Sequence, residues 1–169
     1  DPGYKLVHQA QIAKVSVFSV PGPNATIAAL TVSGLPPDKF FFGGFLPRRQ
    51  EARRKYLKEL ANLRASLIFF ESPRRLSRCL EDMLVTLGNR RAAIARELTK
   101  HYEEVIRGSI EELAERCLQA PPLKGELVVM VGPPENVLGN TINEKSLDDE
   151  LVKALKTMSL RDAARLVGN

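Results

Sequence analysis

Between Gly44 and Leu60 the sequence GFLPRRQEARRKYLKEL carries six basic side chains, Arg48, Arg49, Arg53, Arg54, Lys55 and Lys58, against Glu51 and Glu59. The planar arginine fork suits paired hydrogen bonds to phosphate oxygens. On a helix, Arg49, Arg53 and Lys55 or Tyr56 fall toward one side, and Arg54 and Lys58, four apart, line an adjacent one. A solvated outer face would explain the same residues, so charge alone does not choose. In FFESPRRL, Arg74 and Arg75 stand in the expected first turn of a helix, where positive charge opposes the dipole by roughly a few tenths of a kcal/mol. That cost suggests an anion, or Glu71, as partner. In ARELTKHYEE, Glu97, Lys100, His101, Glu103 and Glu104 gather at a strand connection and could move protons, but their spacing is not diagnostic. His8 and His101 read as ordinary polar residues. In VPGPNATIAAL a strand, a Pro/Gly turn and a helix capped by Asn24 present free N–H groups to an acceptor-rich or anionic ligand. A tight connection packed on a sheet is the plainer reading of that stretch. The sequence has no Gly-rich phosphate loop, metal-ligand cluster or nucleophile elbow.

The elements that must position these groups are legible from periodicity and punctuation. Leu6, Val7 and Ala10 suit a short amphipathic helix, and Val15 to Val20, VSVFSV, a brief buried strand. Asn24 caps a helix with a small face at Ala25, Ala28 and Ala29, ended by Gly34. LPPDK, residues 35–39, reads as a linker between an N-terminal unit, 1–34, and a second unit, 40–133. In that second unit FFFGGFL, SLIFFE, RAAIARE, YEEVIRG and ELVVMVG are expected strands, with RAAIARE and YEEVIRG an antiparallel pair. Helices are expected over Arg49 to Ala61, from a Ser72 cap with Pro73 in the first turn to Gly88, and from a Ser109/Glu112 capping box to Gln119. Strand and helix alternate, which predicts α/β layers around a mixed sheet. A linker at 134–145 and a helical region at 146–169, opening at Ser146, follow.

The chain has 169 residues and a net charge of +5, a lean toward polyanionic partners. Cys79 and Cys117 lie far apart without histidine or cysteine at ligand spacing, so a structural metal is not expected and a reduced, cytoplasmic setting is. No apolar run approaches the ~20 residues of a membrane span. Both ends read as interior to a longer polypeptide.

DPG, VPGPNA, GFLPRR, FFESPRRL, ARELTKHYEE and PPLKGELVVMV, in this order, resemble the ribosomal RNA small-subunit methyltransferase I family of the tetrapyrrole-methylase-like enzymes. The likeness spans about Asp1 to Val131, and GFLPRR with ESPRR points to the rRNA branch. It implies two α/β domains with S-adenosylmethionine (SAM) in the cleft between them, a homodimer, and methylation of a cytidine 2′-hydroxyl in the 16S rRNA of the 30S subunit. On that likeness residues 1–34 are the tail of the first domain. The family's first strand, with its Gly-rich turn, then lies outside this sequence, and this chain by itself is expected to be inactive. The cofactor positions implied are Asn24, Ala25, Phe70, Glu71, Leu98, Lys124 and Gly125, with Asn24 where relatives often carry Ser. The arginines Arg48, Arg49, Arg53, Arg54, Arg74 and Arg75 are implied to hold RNA. Glu71, Glu97 and Lys100 remain open as the proton acceptor or alkoxide partner. A tetrapyrrole methylase of the same fold, whose substrate also carries many carboxylates, and a non-catalytic basic RNA-binding module are the rival readings.

Overall fold

A computed structural model describes residues 3–119 and 123–134, with Val152 and Leu155. Five strands form one sheet in the order β1-β2-β5-β3-β4. These are β1 (Phe40–Phe45), β2 (Ser66–Glu71), β3 (Arg91–Arg96), β4 (Glu104–Ser109) and β5 (Leu127–Val131). β1 and β2 are parallel, and every other neighbour pair is antiparallel. Among residues 3–134 as described, five helices accompany them: α1 (Tyr4–Ile12), α2 (Ala25–Ser33), α3 (Gln50–Leu60), α4 (Leu76–Leu87) and α5 (Ile110–Gln119). Of the expected helical region at 146–169 only Val152 and Leu155 are described, both helical; the rest lies outside the described residues.

The central strands are apolar on both sides because both sides are covered. Leu67 and Phe69 of β2, Ile94 of β3 and Val129 of β5 face α3, α4 and α5 and form the larger core. The alternate residues Ile68, Ala93, Ala95, Val128 and Met130 face α2 and pack on Ala29, Leu30 and Leu35. The result is three layers. α2 has a defined start and stop. The Ile27 N–H donates to Asn24 Oδ1 at 3.1 Å, and Gly34 ends the helix at φ +74. Arg107 of β4 donates to the Val32 carbonyl and ties that end to the sheet. The face α2 buries is Thr26, Ala29, Leu30 and Ser33, one step round from the expected alanine stripe, since Ala25 is exposed. The capping box forms as its spacing requires, with the Glu112 N–H on Ser109 Oγ at 3.1 Å and the Ser109 N–H on Glu112 Oε2 at 2.7 Å.

Two expectations fail. Residues 15–20 form no strand, and Val15, Val17, Phe18 and Val20 are exposed. A β-rich run needs a neighbour to pair with and a surface to cover, and no described strand lies beside it. The helix after SPRR starts at Leu76, not Ser72. Ser72 does not cap it, because its N–H and hydroxyl both turn back to Glu71 Oε1, at 2.7 and 3.4 Å. Residues 73–75 are a turn closed by the Arg75 N–H on the Ser72 carbonyl. Arg75 is therefore the residue at the helix N-cap and Arg74 the one before it, and Glu71 supplies the carboxylate partner of Arg75.

Candidate functional site: a cleft at the carboxyl end of β2 and an arginine-rich rim

β2 ends at Glu71, and the antiparallel β5 begins beside it at Leu127. Where they meet, α2 presents its N-terminus, and a cavity of about 490 Å³ opens. Ala25, Phe45, Phe70, the Glu71–Pro73 turn and residues Gly125 to Val128 line it. Volumes of this size hold small molecules, and a mostly apolar wall with a few fixed backbone polar groups is the usual construction. Of the seven positions expected at a cofactor, Ala25, Phe70, Glu71 and Gly125 line this cavity. Leu98 packs with Phe70 against the core on the α2 side. Asn24 acts through its cap on α2. Lys124 is exposed and not among the lining residues.

The floor of the cleft is rigid. The Glu71 carboxylate has no exposed side-chain surface and accepts from the Ser72 N–H, from Cys79 Sγ at 2.8 Å and from Arg75 Nη2 at 3.2 Å. Burial first, and the hydrogen bond to Glu71 next, push the Cys79 thiol up to about 12, so it stays a neutral donor. With all its partners internal, Glu71 shapes the turn and offers no free lone pair to a substrate proton.

The rim is the β3–β4 connection. Glu97 and Thr99 adopt positive φ, +48 and +64, a conformation few non-glycine residues accept. Glu97 accepts from the Glu126 N–H at 2.8 Å and from Lys100 Nζ at 2.9 Å, and Lys100 also reaches Glu126 at 3.0 Å. The Glu126 backbone bond and then Lys100 hold the Glu97 carboxyl below its ordinary 4.5. Lys100 is raised above its ordinary 10.5 by its bonds to Glu97 and Glu126. Gly125 sits against this cluster at φ +94, and a Cβ there would lie 2.4 Å from the Glu97 carboxyl carbon. The sequence placed Glu97 and Lys100 together, but the partner that joins them, Glu126, comes from a segment 26 residues beyond Lys100.

The arginines divide into two sets. Arg48, Arg49 and Arg74 are exposed and have no carboxylate partner among the described residues. Arg53 does not belong with them. It is 4% exposed, and its guanidinium is held by Asp82 Oδ2, Nε at 2.7 Å and Nη2 at 2.5 Å. It also donates to the Pro47 and Arg48 carbonyls. Arg54 is half-committed to the same carboxylate, at 2.6 Å. Arg75 bonds the carbonyls of Leu46 and Pro47 as well as Glu71. Burial raises the Asp82 carboxyl, but the bonds from Arg54, Arg53 and Gln50 outweigh that and hold it below its ordinary 3.8. Helical spacing alone put Arg53 on the basic face; a buried acid on the neighbouring helix turns it inward instead. Arg78, not singled out from sequence, is exposed and shares a pocket of about 400 Å³ with Arg48, Gln50, Arg53, Arg75 and Glu81. Its four-residue spacing from Arg74 was the available signal.

Comparison with known proteins agrees with this construction. Residues 1–114 match the family model for tetrapyrrole (corrin/porphyrin) methylases. Among curated proteins, the Mycobacterium tuberculosis protein named ribosomal RNA small subunit methyltransferase I is 54% identical over 132 residues, covering 78% of this chain and 46% of that protein. The Rickettsia prowazekii protein of the same name is 41% identical over 165 residues, covering 97% of this chain and 59% of its own length. The chain thus spans about half the length of the curated relatives it matches. In fold it is similar to the methyltransferase CobJ, with a TM-score of 0.54 at 21% identity over 77% of this chain and 56% of that one. It is also similar to a cobalt precorrin-4 methyltransferase, with a TM-score of 0.55 at 15% identity over 77% of this chain and 57% of that one. A layered mixed sheet with a cleft at the end of β2, and a sequence match over the greater part of its length, make the chain a member of the tetrapyrrole (corrin/porphyrin) methylase family.

Proposed function

We propose that the chain serves a SAM-dependent methyltransferase that modifies a cytidine 2′-hydroxyl of 16S rRNA in the 30S subunit. The observation that carries the reading is the 41–54% identity to proteins named for rRNA methylation, combined with unpaired arginines beside a small-molecule cleft. The lining fits the methyl donor. Phe70 and Val128 offer apolar surface to a planar base, the start of α2 offers N–H groups to a carboxylate, and Gly125, with no side chain, allows close approach. The donor supplies a methyl group already activated by its sulfonium, so the protein has to align the two partners and manage one proton.

The rim limits how that proton can leave. Glu71 is fully engaged, and Glu97, held below its ordinary value, is a weakened base. Lys100 carries its charge at neutral pH and suits the stabilisation of a developing alkoxide. Arg48, Arg49, Arg74 and Arg78 form the phosphate-binding rim. Arg53 and Arg75 hold the chain that carries Arg48. A homodimer belongs to the same proposal and is checked by sedimentation.

The test supplies labelled SAM and 30S subunits lacking the modification to this chain and to the longer polypeptide expected from the sequence. Release of labelled 2′-O-methylcytidine is the expected result with the longer polypeptide, and none with this chain by itself. Label on a uroporphyrinogen substrate instead would move the assignment to the tetrapyrrole branch. RNA binding gives a second readout. Arg48→Ala with Arg78→Ala should weaken RNA binding and lower the slope of log affinity against log salt by about 2, roughly one per phosphate contact, while binding of S-adenosylhomocysteine is unchanged. An unaltered salt slope would remove these arginines from the RNA path.

A further inference from the structure

β1 carries a glycine pair that decides where an aromatic ring points. Phe40, Phe41 and Phe42 pair with Ser66, Leu67 and Ile68, and then the register slips, so that Gly44 and Phe45 pair with Phe69 and Phe70. Phe41 therefore faces the α3–α5 core, and Phe42 the other side. Strict alternation would send Phe45 the way of Phe41. The extra residue at the bulge reverses the phase. Gly44 adopts φ +64, and a Cβ on Gly43 would lie 2.5 Å from the Phe69 ring, so the bulge depends on both glycines. Phe45 consequently joins Phe42 and Phe70 in an edge-to-face group, with ring centroids 5.6 Å from Phe45 to Phe70 and 4.9 Å from Phe42 to Phe70. It lines the cleft but remains 66% exposed.

An exposed aromatic ring of this size at a cleft gives binding free energy to whatever covers it. Its surroundings say what. Arg48 lies three residues on, and the backbone between them is pinned by Arg75 on the Leu46 and Pro47 carbonyls and by Arg53 on the Pro47 and Arg48 carbonyls. An apolar ring and a cation without a carboxylate partner thus project from one pinned backbone segment, three residues apart, as a base and its phosphate would require. Bases extruded from RNA stack on aromatic side chains in this way.

We propose that Phe45 is a stacking platform for an unpaired nucleobase of the RNA, which places that nucleotide's ribose at the mouth of the cleft. The inference rests on the RNA reading above. It concerns a positioning residue and assigns Phe45 no part in the chemistry.

The chain contains no tryptophan, so Phe45→Trp installs a single tryptophan, excited apart from the tyrosines, at the platform. Titration with a short single-stranded cytidine-containing RNA should quench it, and an abasic ribose-phosphate oligomer of the same length should not. Phe45→Ala should weaken binding of the base-bearing RNA roughly five- to hundredfold and leave binding of the abasic oligomer unchanged. Phe45→Tyr should restore affinity. Equal affinity of Phe45→Ala and the parent chain for the base-bearing RNA would overturn the inference while leaving the RNA reading intact. Quenching of Trp by S-adenosylhomocysteine alone would also overturn it and give the ring to the donor's adenine. Failure of the parent chain to bind either oligomer would remove the RNA reading and this inference together.

Discussion

Asp82 ties together three side chains of α3. One buried carboxylate takes hydrogen bonds from Gln50, Arg53 and Arg54, and Arg53 in turn holds two carbonyls of the segment leading from β1 to α3. Replacing one member of a buried pair leaves the other charged and uncompensated, a cost of about 3–5 kcal/mol. Asp82→Asn is therefore expected to lower the unfolding free energy by that margin, seen as a lower urea midpoint with little change in slope. Arg54, whose side chain is 43% exposed, should matter far less. Arg54→Ala should cost about 1 kcal/mol or less. Equal losses for the two variants in denaturant titration would refute this ranking.

At the scale of elements, the rim works as a clasp between two loops. The β3–β4 connection bears the positive φ angles of Glu97 and Thr99, and the loop before β5 bears that of Gly125. The clasp closes because Glu97, Lys100 and Glu126 bond across it. Gly125→Ala would put a methyl against the Glu97 carboxyl and force a side chain into a conformation costing about 1–3 kcal/mol. Its expected outcome is a modest loss of stability with a larger loss of S-adenosylhomocysteine binding, read by calorimetry, because Gly125 also lines the cleft. Undiminished ligand binding would show that the clasp and the cleft are independent. Two arginines act at this scale too. Arg53, and the partly exposed Arg75, fix the carbonyls of residues 46–48, so that Phe45 and Arg48 project from a braced turn.

For the molecule as a whole, the charge pattern predicts how it responds to acid. The Asp82 and Glu97 carboxyls are both held below their ordinary values of 3.8 and 4.5 in the folded chain. The unfolded chain binds protons more readily at both positions, so stability rises with pH through that range. Their contribution is complete above those ordinary values and is lost as the pH falls through the lower folded values. Thermal melts should therefore fall steeply below about pH 4. In Asp82→Asn the acid-dependent part of the fall should shrink although the starting stability is lower. A melt profile with the same acid slope in parent and variant would contradict the assignment. The three layers also explain why α2, which precedes the 35–39 segment, shares the core of the sheet that follows it. Leu35 is buried, and Ser66 bonds the Pro36 carbonyl at 2.7 Å.

What was legible in the sequence is what local chemistry dictates. Asn24, Gly34, Gly88 and the Ser109/Glu112 pair mark helix ends because capping uses groups a few residues apart. The five strands are legible because alternation and apolar runs are properties of the strand itself. The ordered motifs brought Ala25, Phe70, Glu71 and Gly125 into one expectation, and the fold brings them to one cavity. Whether a side chain is free or occupied is decided by partners distant in the chain. Arg53 became structural because Asp82 is 29 residues away on the next helix. Residues 15–20 formed no strand because pairing needs a neighbour that local propensity does not supply. Phe45 reached the cleft because a one-residue slip against β2 reversed its face. Burial and pairing are properties of two surfaces at once, and only the folded chain brings the second one.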